Sequence, residues 1–161
     1  MILTQQYLAI LGYEFSMQSV WGMRGCVEWM LVEGTTTGLE VEHFIVNILS
    51  HRVQPSDLLL LDNAGVYCTL EVRNVMNTVM HGLWDYKAPY SYDMSACERC
   101  LSLVVSYIRA RNHLCRTKQN AIDLIHFAYF NFSTDGPEGY KCRNVFNIYV
   151  RNHQRFLDGY L

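Results

Sequence analysis

Asp62 closes the apolar run Leu58-Leu59-Leu60-Leu61, and Glu98 opens the amphipathic segment from Ser95 to Arg111. An acid at the end of a buried strand and another in the first turn of a later helix can converge on one divalent cation. Hard cations such as Mg²⁺ take oxygen ligands, usually one or two carboxylates, with water and phosphate completing the shell. Nucleases and polymerases use such sites to stabilise the attacking and leaving oxygens of a phosphodiester. Each acid also has a plainer reading. Asp62 can start a turn through Asn63 and Gly65, and Glu98 can complete a capping box with Ser95.

The elements that must position these acids follow from periodicity. Tyr7 to Tyr13 and Cys26 to Val32 read as strands, with Gly22 and Gly25 punctuating between them. The period then changes. Val41, Phe44, Ile45, Ile48 and Leu49 recur at helical spacing, and Thr37 with Glu40 offers a capping box at the start. Leu58 to Leu61 is apolar on both sides, which suits a strand covered on both faces. A second helix starts near Thr69, and Gly82 to Tyr86 reads as a short strand. Met94 to Arg111 carries Cys97, Leu101, Val104, Val105 and Ile108 at helical spacing, and a further helix starts near Lys118. The tail from Pro137 is read as one more helix ending at Gly159. This order indicates an α/β layered domain. In open α/β sheets ligands bind beyond the carboxyl ends of strands, and Asp62 falls at such an end.

Bulk properties narrow the function classes. The chain has 161 residues, 50% of them apolar and 17% charged, with a net charge of −2. That length suits one domain spanning residues 1–161, with 113–161 as a C-terminal helical extension of it. The composition is globular rather than disordered, and no overall positive field advertises nucleic acid. Met1-Ile2-Leu3-Thr4-Gln5-Gln6 lacks the basic and apolar regions of a signal peptide, and no apolar run is long enough for a membrane span. An intracellular protein with reduced cysteines used as small core residues is therefore expected.

Two further clusters have competing readings. Cys97-Glu98-Arg99-Cys100 is a C-x-x-C, and with His113 and Cys115 it can be stretched into a zinc site. Structural zinc sites bring two close ligand pairs from loops or hairpins, whereas this pair lies on a helix, so the cysteines are assigned to the core. Arg109, Arg111, Arg116 and Lys118 cluster where the Glu98 helix ends. They can contact DNA phosphates with salt-dependent affinity, or simply complement the helix C-terminus.

The local text around the two acids is specific. Pro55-Ser56-Asp57-Leu58-Leu59-Leu60-Leu61-Asp62-Asn63-Ala64-Gly65-Val66-Tyr67 resembles the second-aspartate segment of mariner-type DDE transposases and their bacterial insertion-sequence relatives. That family shows an apolar strand ending in Asp-Asn-Ala, then a small residue, an aliphatic residue and usually His. Ala88-Pro89-Tyr90-Ser91-Tyr92-Asp93-Met94-Ser95-Ala96-Cys97-Glu98 resembles the segment holding the family's third acid. The spacing agrees, with 35 residues between Asp62 and Glu98. Glu33-Gly34-Thr35, the helix containing Phe44, and Tyr107-Ile108-Arg109 extend the likeness, which covers residues 7–112.

The resemblance implies a ribonuclease H-like mixed sheet flanked by helices, with DNA cleavage and strand transfer in transposition as the activity. It implies two Mg²⁺ or Mn²⁺ ions held by three carboxylates, Asp62 bridging them, Glu98 binding one, and Asn63 orienting Asp62. Its partners would be transposon ends and target DNA, with a homodimer among the assemblies it allows. The setting would be the nucleus in a eukaryote and the cytoplasm otherwise. The sequence also departs from the pattern. Tyr67 stands in place of the usual His, and Ala88, Tyr92 and Ala96 stand in place of prolines. The family's first acid lies on the first, central strand and is followed by another acid. Glu14 is the only acid before Glu28, and its surroundings do not match that motif. The fold is therefore expected to lack its first central strand. The chain is expected to be a fragment or relic inactive alone. The alternative is a non-catalytic α/β module, derived from a transposase, that binds DNA or protein.

Overall fold

A computed structural model describes residues 1–81, 83–87 and 96–157, with side chains described as far as Arg151. Residues 2–33 form an antiparallel meander of β1 (Ile2–Ile10), β2 (Tyr13–Gly22) and β3 (Gly25–Glu33). Leu11 and Gly12, with φ of 55° and 80°, make the two-residue turn between β1 and β2. Turns with two positive φ values match the right-handed twist of the strands they join. The strand expected over Tyr7–Tyr13 thus straddles a turn, and its true start is Ile2.

The chain next forms α1 (Gly38–His43), continued by a wide turn at Phe44–Ile48 and a tight one at Leu49–His51. Glu40 accepts hydrogen bonds from the Thr37 N–H (2.5 Å) and hydroxyl (2.7 Å), which lowers its carboxyl pKa and fixes the helix start. Then β4 (Leu59–Leu61) runs parallel to β1, with Leu60 opposite Ile2 and Leu61 opposite Leu3. After α2 (Leu70–Val79), capped by the Thr69 hydroxyl, β5 (Trp84–Tyr86) adds parallel to β4. The sheet order is β3-β2-β1-β4-β5.

β1 is therefore the central strand, and the expectation that this strand is missing is corrected. The reason is chemical. Thr4, Gln5 and Gln6 are too polar to read as a buried strand, but neighbours satisfy them here. Thr4 bonds Asp62, the Gln5 amide donates to the Tyr7 and Ser16 hydroxyls (2.8 and 3.1 Å), and the Gln6 carbonyl accepts from the Tyr129 hydroxyl (3.1 Å). Buried polar groups are tolerated when they are paired in this way.

Helices cover both faces. Leu3, Leu59 and Leu61 point to one side and pack with Phe44, Val72 and Met76 of the α1 and α2 layer. Phe15, Met17 and Trp21 point to the other, against α3 (Ala96–Arg111), α4 (Lys118–Asn131) and α5 (Gly139–Leu157). A mixed five-stranded sheet between two helical layers is the expected fold class. Five cysteines, Cys26, Cys97, Cys100, Cys115 and Cys142, are buried in this core. Among the described residues no helix is long and apolar enough to cross a membrane. Gly82, the segment Ala88 to Ser95 and Gly159 lie outside the described residues, so the proposed Ser95 cap has no structural account.

Candidate active-site cleft

The parallel register carries Asp62 to the edge of the sheet beside Thr4. The Asp62 N–H donates to the Leu3 carbonyl (3.0 Å), which continues the β1–β4 ladder by one bond. Its carboxylate is then held from both oxygens. Oδ2 accepts from the Thr4 hydroxyl (2.8 Å) and the Gln5 N–H (3.2 Å), and Oδ1 accepts from the Ala64 N–H (3.0 Å). That last bond is the turn-starting contact typical of aspartate, so the plainer reading of Asp62 coexists with a place in the cleft.

Glu98 approaches from the first turn of α3. Both acids line one cleft of about 440 Å³. β1 supplies Thr4, Gln5 and Gln6, and α3 supplies Glu98, Ser102, Ser106 and Arg109. These four α3 residues fall on a single helical stripe. The Glu98 carboxylate is engaged as well, since Oε1 lies 2.7 Å from the Lys87 ammonium.

Lys87 directly follows β5. Its N–H donates to the Leu61 carbonyl (2.7 Å), and its carbonyl accepts from the Asn63 side-chain amide (3.0 Å). Asn63 thus braces the lysine that meets Glu98, and this described bond does not go to Asp62. Neither Lys87 nor Thr4 stands out in the sequence as a site residue. A lysine after a three-residue strand carries no pattern, and a threonine beside an aspartate becomes visible only through the β1–β4 register.

The basic cluster divides. Arg109 lines the cleft. Arg111 instead lays its guanidinium 3.7 Å from the Tyr107 ring centroid, and Lys118 pairs with Glu33 on β3. The Arg116 N–H donates to the Asn120 side chain within the cap of α4. Glu14, the second residue of β2, lies opposite Ala9, five residues along β1 and so roughly 16 Å from Thr4 at the usual strand rise.

Beneath Asp62 lies a buried polar layer. Tyr67 is fully buried and its hydroxyl donates to the Gln18 side-chain carbonyl. Burial first, then the nearby Asp62 charge, pushes the Tyr67 phenol well above its usual range, so it remains a donor. The Gln18 side-chain nitrogen has no partner among the described residues. Tyr67→Phe would leave the carbonyl end of the same amide unpaired too. The expected result is a loss of about 1–3 kcal/mol in urea unfolding.

No protein-family model matches the chain, and no curated protein matches it by sequence. Solved structures do. The catalytic domain of Mos1 transposase, solved with raltegravir and Mg, matches with a TM-score of 0.62 at 14% identity over 94% of this chain and 81% of that one. The catalytic domain of Mos1 mariner transposase matches with a TM-score of 0.59 at 12% identity, over 94% and 80% of the two chains. The catalytic core domain of BIV integrase matches with a TM-score of 0.56 at 16% identity, over 96% and 97%. The fold is that of transposase and integrase catalytic cores. At such identities the likeness describes the scaffold alone.

On this ribonuclease H-like scaffold the donor set can be tested for a divalent metal. The resembling family needs three acids, the first on the central strand and followed by a second acid. Here the central strand beside Asp62 reads Thr4-Gln5-Gln6. Among the described residues no group of three His, Cys, Asp or Glu side chains is placed to hold a metal ion. The described residues bring two carboxylates to the cleft, one ringed by protein donors and the other ion-paired to lysine. This set does not fit a two-metal centre.

Proposed function

We propose that this chain is a DDE transposase-type catalytic-core domain that keeps the scaffold and two acids of a DNA-cleaving, strand-transferring site and does not cut DNA alone. The observation that carries this reading is the convergence of Asp62 and Glu98 on one cleft, with Thr4 of the central strand beside Asp62. In this reading Asp62 and Glu98 are the remaining members of a carboxylate set for Mg²⁺ or Mn²⁺. DNA is the partner the scaffold suggests, with Arg109 at the cleft placed to meet a phosphate.

The test is nicking of supercoiled plasmid with Mg²⁺ or Mn²⁺ present. The expected result is a background rate that Asp62→Ala leaves unchanged. Metal-dependent nicking that disappears in Asp62→Ala would mean an active enzyme and end this reading.

A second reading, a non-catalytic module that binds DNA or protein, is favoured by the charges in the cleft. Lys87 neutralises Glu98, and Arg109 lies on the same wall as that acid. Salt-dependent binding of duplex DNA without nicking distinguishes it from a relic that binds nothing.

A further inference from the structure

Resting on the transposase-type reading of the cleft, we infer that Lys87 is the built-in counter-cation of the site. Its ammonium takes the position at Glu98 where a divalent ion would bind, and so closes the cleft to Mg²⁺ and Mn²⁺.

The geometry has three parts. The Lys87 nitrogen lies 2.7 Å from Glu98 Oε1, a charge-assisted contact. The lysine side chain is only 14% exposed, against 37% for the glutamate, so the protein covers most of the lysine along its path to the carboxylate. Its backbone is also clamped on both sides, by the Leu61 carbonyl and by the Asn63 amide. The backbone from which the ammonium extends is therefore fixed by the β4–β5 ladder, an anchor that most surface ion pairs lack.

Asp62 completes the picture from the opposite wall. Three protein donors, the Thr4 hydroxyl and the Gln5 and Ala64 amides, occupy both of its oxygens. An incoming ion would have to displace a fixed ammonium from Glu98 and donors from Asp62 while shedding water, which Mg²⁺ does reluctantly. The lysine, the hydroxyl and the amides supply internally the positive potential that metal ions provide in a three-acid site. The Thr4 hydroxyl at Asp62 and the Lys87 ammonium at Glu98 thus form one coherent arrangement.

The experiment follows Mn²⁺ binding by electron paramagnetic resonance and by thermal unfolding, with the whole chain in each arm. The unsubstituted protein should leave Mn²⁺ free and move its Tm by less than about 1 °C at millimolar metal. Lys87→Met should unfold at lower temperature in EDTA because Glu98 loses its partner, and Mn²⁺ should restore the loss saturably. Lys87→Met combined with Glu98→Gln should not respond to Mn²⁺. Lys87→Arg, which keeps the charge, should behave as the parent does. Saturable Mn²⁺ binding by the parent that is lost in Glu98→Gln overturns the inference, and so does a folded Lys87→Met that ignores Mn²⁺. The parent measurement needs no variant, so it decides even where Lys87→Met does not fold. Bound Mn²⁺ without nicking would remove the role given to Lys87 alone. Nicking itself would remove the functional reading.

Discussion

Thr4→Asp is expected to give the cleft Mn²⁺ binding at least about tenfold tighter than the parent, because affinity for hard cations rises with the number of charged oxygen ligands. The position follows from register. Leu3 pairs with Leu61, so Thr4 is the central-strand residue next to Asp62, and its hydroxyl already bonds that carboxylate at 2.8 Å. Without metal the variant should be less stable than the parent by about 1–3 kcal/mol, since Asp62 Oδ2 exchanges a donor for a like charge. Adding Mn²⁺ at about a hundred times its Kd should return about 2.7 kcal/mol. Calorimetric titration together with urea unfolding in EDTA and in Mn²⁺ would show both effects. A Thr4→Asp/Lys87→Met variant that loses stability and gains no metal affinity would mean that the Thr4 side chain does not share a site with Asp62 and Glu98. Adding Lys87→Met to Thr4→Asp should tighten binding further, since it frees Glu98 to join the other two acids.

Gly25→Ala should be the most damaging small substitution in the sheet. Gly25 starts β3 at a φ of +133°, which side-chain-bearing residues rarely adopt, and an added Cβ would lie 2.6 Å from the Phe132 carbonyl oxygen. That oxygen accepts from the Cys26 N–H at 3.1 Å, and the Cys26 carbonyl accepts from the Thr134 N–H at 2.9 Å. These bonds dock the end of α4 on the edge of the sheet, so a methyl group here strains the backbone and pushes the two segments apart. The combined cost should be about 3 kcal/mol or more, a large share of the roughly 5–15 kcal/mol that holds a domain together. Gly12→Ala is the matched comparison. Gly12 also has positive φ, at +80°, but an added Cβ meets nothing within 4 Å. Strain acts there without collision, and the cost should be only about 1–2 kcal/mol. Equal midpoint shifts for the two variants in urea would show that the α4 docking contributes little.

Where the sequence pattern was strong, its reading carried far. The apolar stripes at Val41 to Leu49 and Val72 to Met80, the Thr37–Glu40 cap, the Leu59–Leu61 strand and the α4 helix stand where spacing and capping residues place them, and α3 where spacing does. Amphipathic period and cap chemistry are local, so the chain reveals them without its fold. β1 failed that test because its middle is Thr4-Gln5-Gln6, which reads as polar in isolation. The partners that make those residues acceptable, Asp62, Ser16 and Tyr129, are distant along the chain. β2 was obscured for a similar reason. Ser16, Gln18 and Ser19 are buried in it, and their bonds to Thr36, Tyr67 and Trp21 exist only once the sheet has formed.

The linear text alone singled out Asp62 and Glu98 as the candidate pair and gave their separation along the chain, because a strand end and a helix start are written in short-range pattern. Tertiary structure decided what surrounds them. Thr4 reaches Asp62 through parallel strand pairing, and Lys87 reaches Glu98 through the β4–β5 ladder. Arg109 shares the cleft while Arg111 and Lys118 turn elsewhere. Such contacts depend on register and on which face each side chain takes. Those are properties of long-range pairing, and no local stretch of residues encodes them.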